Sequence, residues 1–255
     1  MLRLGNKKLG KLIHHWSIPS ALKHICVGAT AICMLLCYAA KKRYSFGTVK
    51  ESLEKKYQLS LNPDFESRMI DDVKESYARI VRIHASGEFY SAEYATKWLN
   101  IVKNNPNVTF FAYTRSWRDP AVYKVLKQLA KLSNMTLWWS CDKDTGPPPK
   151  INNVRRAYLQ INPQDVPNYH VDLFFREDTS TVAKFINGTL VCPAENGVTE
   201  TTCSKCQLCV YRGTMPSKEK WVKPKKTLPI VSLPEIQINA GTSQQFSLAL
   251  APESH

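Results

Sequence analysis

The chain has 255 residues, 44% of them hydrophobic, with six Trp and eleven Tyr, which is apolar mass enough for one large core and excludes a disordered chain. Its 35 Lys and Arg against 21 Asp and Glu leave a formal net charge of +14, a balance that favours polyanionic partners as well as solubility. The excess is uneven: residues 1–50 hold nine basic side chains and no acid, and a second basic run follows at Arg212, Lys218, Lys220, Lys223, Lys225 and Lys226.

In chain order, residues 1–20 read as a basic arm. Ile25 to Ala40 is apolar, but shorter than the ~20 residues a membrane span needs, and it contains three cysteines. Read as a signal peptide, it would leave five cysteines in the mature chain, one of them unpaired. The expectation is a cytoplasmic protein without integral membrane contact. This stretch includes or adjoins a strand. Thr48 to Leu59 predicts a helix with Val49, Leu53 and Tyr57 on one stripe. Asn62-Pro63 opens the next, with Phe65, Met69, Val73 and Tyr77 at four-residue spacing. Ile80 to Ala85 is a strand; Ser91 caps a helix to about Asn104; Val108 to Thr114 is a strand; Asp119-Pro120 starts a helix; Met135 to Ser140 is a third strand. Weaker strands follow near Arg156 to Ile161 and His170 to Phe175. Repeated strand–helix units predict an α/β fold, a partial or complete (β/α) barrel with its site where the strands end. The expected divisions are 1–20, a core over 21–180, a cysteine-rich segment over 181–210 and a basic peripheral tail over 211–255.

Seven of the eight cysteines fall into two groups. Cys26, Cys33 and Cys37 offer three thiolates: a [4Fe–4S] cluster with one open iron, a zinc site closed by His24, or buried apolar cysteines. Cys192, Cys203, Cys206 and Cys209 offer four, for a second [4Fe–4S] cluster or for Zn, against no metal at all. Cys141 reads as a packed thiol.

Strand alternation places Ile80, Arg82 and His84 on one side of their strand. Ser86-Gly87-Glu88 follows at its end, with Glu88 placed to accept a hydrogen bond from a ligand amine and His84 to donate a proton. A solvated Glu88 and a core His84 are the competing readings. Tyr113 and Arg115 share one parity and one mouth; the planar fork of Arg115 suits a carboxylate or phosphate. Asp142 orients a ligand hydroxyl, pairs with Arg115 or caps a turn.

The stretch Cys26-Val-Gly-Ala-Thr-Ala-Ile-Cys33-Met-Leu-Leu-Cys37-Tyr38-Ala39 resembles the cysteine segment of the phage gene product 88 family. Arg82-Ile-His84-Ala-Ser86-Gly87-Glu88-Phe89-Tyr90-Ser91, Ala112-Tyr113-Thr114-Arg115-Ser116-Trp117 and the closing Cys203-x2-Cys206-x2-Cys209 are similar to that family too. More distantly, Tyr38 beside the last cysteine and Ser86-Gly87-Glu88 resemble elements of radical S-adenosylmethionine enzymes, with cysteine spacings of six and three residues instead of three and two. That second resemblance implies an open cluster at Cys26/Cys33/Cys37 binding S-adenosylmethionine, with an auxiliary cluster at the C-terminal group. Tyr38, Ser86, Gly87, Glu88 and Asp142 would hold the cofactor, and His84, Tyr113 and Arg115 would serve a small-molecule substrate. The alternative is a non-catalytic, metal-stabilised module that binds nucleic acid or a host protein. Whether the chain is an enzyme stays open at this point.

Overall fold

A computed structural model describes residues 1–41, 44, 46–177, 180, 182–196 and 200–211. The chain divides into Met1–Lys220 and Trp221–His255; the second unit, and the expected basic tail beyond Tyr211, lie outside the described residues.

The fold is α/β with a mixed seven-stranded sheet. Its strands are β1 (Arg3–Leu4), β2 (Ile13–Trp16), β3 (Ile80–Ile83), β4 (Thr109–Thr114), β5 (Met135–Cys141), β6 (Val154–Gln160) and β7 (Leu173–Arg176). They lie side by side in chain order; β1 is antiparallel to β2, and every pair from β2 to β7 is parallel. Among the described residues no pairing closes β1 onto β7. Residues 1–20, which read as an arm, contribute β1 at one edge of the sheet and β2 beside it. A separate hairpin, β8 (Phe185–Ile186) and β9 (Thr189–Leu190), turns on Asn187 and Gly188, both at positive φ, the conformation a tight two-residue turn demands.

The helices are α1 (Ala31–Leu35), α2 (Gly47–Leu61), α3 (Phe65–Glu75), α4 (Ala92–Lys103), α5 (Pro120–Leu129) and α6 (Cys203–Cys206). Two begin where the cap residues predict. The Ser91 hydroxyl accepts from the Tyr94 N–H, and the Asp119 carboxylate accepts from the N–H groups of Ala121 and Val122, with Pro120 opening α5. The apolar stretch through the first cysteines forms α1 and a 3-10 turn, Tyr38–Ala40, and the strand it adjoins is β2. No helix among the described residues is long and apolar enough to cross a membrane.

Sequential parallel strands joined by right-handed crossovers place their helices on one face. There Val81, Ile83, Phe110, Leu137 and Trp139 join Met69, Trp98 and Leu126 in the main core; each such side chain contributes about 1.5–3 kcal/mol on burial. On the other face Leu9, Ile13, Ala85 and Phe111 form a second cluster, against which Tyr113, Cys203, Cys209 and Val210 pack. The C-terminal cysteine segment therefore covers the sheet face that the helices leave open.

Candidate functional site

At the C-terminal ends of β3, β4 and β5 sits a buried polar network. Glu88 Oε2 accepts from the Thr114 hydroxyl at 2.5 Å and the Ser116 hydroxyl at 3.1 Å, and Oε1 accepts from the Arg115 N–H at 2.9 Å. Burial raises the Glu88 pKa, opposed by those donors and by the Arg115 charge. The Arg115 guanidinium pairs with Asp142 at 2.9 Å, and the Asp142 side chain is wholly buried. The Thr30 hydroxyl donates to Asp142 at 2.7 Å and accepts from the Cys33 N–H at 3.0 Å, capping α1. Gly28 lies flat on the Arg115 carbonyl: a Cβ there would stand 1.9 Å from that oxygen. Ser86 and Gly87 serve the same end of the sheet. The Ser86 hydroxyl donates to the Ile18 carbonyl at 2.9 Å. Gly87, at φ +88, lies so close to Ile18 that a Cβ would clash at 2.3 Å. These groups clamp the first cysteine segment onto the strand ends.

His84 departs from the alternation of β3. Its φ of +63 ends the strand and turns the ring onto the helix face, between Phe89, Tyr94 and Trp98. Arg82 keeps the opposite face, so the two no longer share a side. Tyr113 and Arg115 also part: Tyr113 meets the C-terminal segment, donating its hydroxyl to Cys209 Sγ at 2.8 Å, while Arg115 turns to Asp142.

The expected metal centres are corrected by the positions of the thiols. Among the described residues, no group of three or more His, Cys, Asp or Glu side chains could hold a metal ion. Cys26, Cys33 and Cys37 thus form no [4Fe–4S] or zinc site: Cys26 packs against the main core and Cys37 Sγ lies 3.6 Å from the Ser20 hydroxyl. Cys192, Cys203, Cys206 and Cys209 line one narrow cavity of about 10 Å³, room for about one water. All eight cysteines are free thiols. Burial pushes the Cys26 and Cys209 thiols up to about 12 and Cys33 up to about 11. With no cluster to donate an electron, the S-adenosylmethionine reading, the iron–sulfur function and the metal-stabilised form of the binding module all fall. Cysteine spacing counts ligands, but only the fold decides whether they converge.

The sheet face away from the helices holds what the motifs did not announce. The Arg82 guanidinium lies 5.7 Å from the Tyr113 ring centre, Arg155 lies 5.2 Å from Trp138, and the Lys8 ammonium lies 5.5 Å from Phe175. Tyr113 stacks on Trp138 at 5.3 Å. Alternation of Arg82, Tyr113 and Trp138 along their strands is the signal that identifies this row. The C-terminal segment is pinned over it: Trp138 Nε1 donates to the Cys209 carbonyl at 3.0 Å, and the Thr136 hydroxyl to Val210 O at 3.0 Å. Lys8 binds Glu195. At the end of β3, Tyr38 is 59% exposed, its hydroxyl donates to the Ala85 carbonyl, and its ring meets Tyr44 edge-on at 6.1 Å.

The model of the family described as "GP88: Gene product 88" matches residues 1–212. The chain is 26% identical to the "Gene 88 protein" of Mycobacterium phage L5, over 81% of this chain and 86% of that protein. It is 27% identical to the "Gene 88 protein" of Mycobacterium phage D29, with the same coverage. No solved structure matches it. These relationships support the phage resemblance and give no support to a kinship with radical S-adenosylmethionine enzymes.

Proposed function

The chain belongs to the gene product 88 family, and on that premise we propose that it is a non-catalytic nucleic-acid-binding protein acting in the cytoplasm of a phage-infected cell. One observation carries the reading. Lys7, Lys11, Lys23, Lys41 and Lys50 are exposed, with no carboxylate in ion-pair reach among the described residues, in a stretch of fifty residues that contains no acid. Basic groups without internal partners are free to displace condensed counterions from a phosphate backbone. In this reading Glu88, Arg115, Asp142, Ser86 and Gly87 are structural: they fix the cysteine-bearing segment, and its neighbour Tyr38, against the sheet. The open sheet with helices on one face is read as a partial β/α barrel whose free face the C-terminal segment fills.

The test is the salt dependence of oligonucleotide binding by the full chain. Five lysines engaging phosphates give a log K against log[salt] slope of roughly −3.5 for single strands, at ~0.7 per contact. Replacing Lys7, Lys11 and Lys23 together by Ser should flatten that slope by about 2. Absence of binding at low salt, or a slope near zero, would overturn the reading.

A further inference from the structure

We propose that Tyr38, Tyr44 and Arg82 form a site for one nucleotide unit of a single-stranded nucleic acid, the tyrosines taking the base and Arg82 its phosphate. The inference rests on the nucleic-acid reading above and gives it a location and a strand preference.

Arg82 is the first argument. It lies half-buried on the sheet face away from the helices, and its Nε donates to the His84 carbonyl at 3.2 Å. No carboxylate among the described residues pairs with it. The groups close enough to act on its charge are the phenols of Tyr38 and Tyr113 and the thiols of Cys203 and Cys209. Lys8 and His15 are near enough to feel its charge as well, and among the described residues the one ion pair in this group joins Lys8 to Glu195. A cation withdrawn from water without a counter-charge is costly. An anion entering beside Arg82 supplies that charge, and the free edge of the guanidinium presents two donors in the geometry a phosphate accepts.

Tyr38 is the second. More than half of its surface faces solvent, yet its hydroxyl is tied to Ala85 at the end of β3, three residues from Arg82. The ring is therefore held in one orientation while remaining uncovered. Tyr44 braces it edge-on, at 77°. A rigid, exposed aromatic face beside a cation loses little conformational freedom when a base stacks on it. Paired bases in a duplex present their edges and keep their faces stacked on one another, so this face selects an unpaired base.

The experiment measures fluorescence anisotropy of a labelled short oligo(dT) and of a duplex of equal length, using the full chain and its variants. Wild type should bind the single strand more tightly than the duplex. Base–aromatic stacking predicts that Tyr38→Leu weakens single-strand binding by about 5- to 150-fold while leaving duplex binding unchanged. Tyr38→Phe, which keeps the ring and loses the tether, should weaken it less. Arg82 also packs on the Tyr113 ring and bonds the His84 carbonyl, so its substitution would disturb the sheet and its role is read on wild type: photo-crosslinking with bromouracil-substituted oligonucleotide should label peptides containing Tyr38 or Tyr44. Equal affinity for single strand and duplex, indifference to Tyr38→Leu, or crosslinks confined to other segments would overturn this site while leaving polyanion binding intact. Binding of dTMP as tight as that of the oligomer would overturn the single-strand assignment. Failure to bind either oligonucleotide at low salt would overturn the nucleic-acid reading and this inference with it.

Discussion

Acidification should weaken this protein through His84, and the geometry fixes the sign. The ring is 2% exposed, and its Nε2 lies 3.0 Å from the Tyr94 hydroxyl. That hydroxyl also accepts from Trp16 Nε1 at 2.9 Å, and the tautomer of the neutral His84 ring sets which of Nε2 and the hydroxyl donates to the other. Nδ1 has no hydrogen-bond partner among the described residues, so a second proton on the ring would leave a buried donor unsatisfied. Burial first, and the Arg82 charge second, pull the His84 pKa from 6.5 down to about 3. Between those values the unfolded chain binds a proton that the folded chain refuses. The contribution is fully present above pH 6.5 and is lost as pH falls towards 3. At 1.36 kcal/mol per unit, the whole shift corresponds to about 5 kcal/mol, of which roughly half falls between pH 6 and pH 4. Urea unfolding across that range, for wild type and His84→Asn, isolates it. Asn tolerates the left-handed backbone at this position and does not titrate there. The variant loses ring contacts at every pH, so the informative quantity is the difference in pH dependence. Wild type should lose about 2–3 kcal/mol more than the variant between pH 6 and pH 4. Equal losses, or a His84 NMR resonance titrating near its ordinary value, would refute the reasoning.

Three further outcomes follow from the clamp and the covered sheet face. Asp142→Ala leaves Arg115 buried and unpaired and should cost about 3–5 kcal/mol in chemical unfolding, as expected for half of a buried ion pair. Gly28→Ala drives a methyl into the Arg115 carbonyl, so residues 25–40 should become the first site of limited proteolysis, whereas the same substitution at Gly47, where a Cβ meets nothing, should leave cleavage unchanged. Trp138→Phe removes the donor to the Cys209 carbonyl while keeping an aromatic ring. The lost bond contributes about 1 kcal/mol, to which the space left by the smaller buried ring adds; faster amide exchange over residues 203–211 is the expected result, and unchanged exchange there would argue against pinning by this bond.

Much of the helix face was written in the chain. Ser91, Asp119 and Pro120 mark helix starts through groups that act within three residues of themselves. The periodicities of Met69 and Val73, or Val122 and Leu126, point to the core without knowledge of what they meet. The strands β1 and β2 escaped because they are two and four residues long and lie in a basic segment. The helix over Phe65–Glu75 begins two residues past Pro63, which serves in the preceding turn. His84 escaped because one positive φ reverses the parity on which strand reading relies. Asp142 shows the same division: its alternatives were stated from sequence, and only the approach of β4 to β5 gave it Arg115 as partner.

The chain alone determined the elements that depend on near neighbours, the alternation that makes a parallel sheet, and a basic first fifty residues whose charge needs no fold to exist. Tertiary structure decided what the cysteines and the buried charges are for. Ligation requires several side chains to meet at one point, and spacing along the chain sets only how far apart they can be. Folding set Cys26 against the main core and Cys37 beside Ser20, closed the last four around a space for about one water, and left Arg82 beside Tyr38 with no carboxylate paired to it among the described residues. That unbalanced charge is a property of distance in space, and no residue order states it.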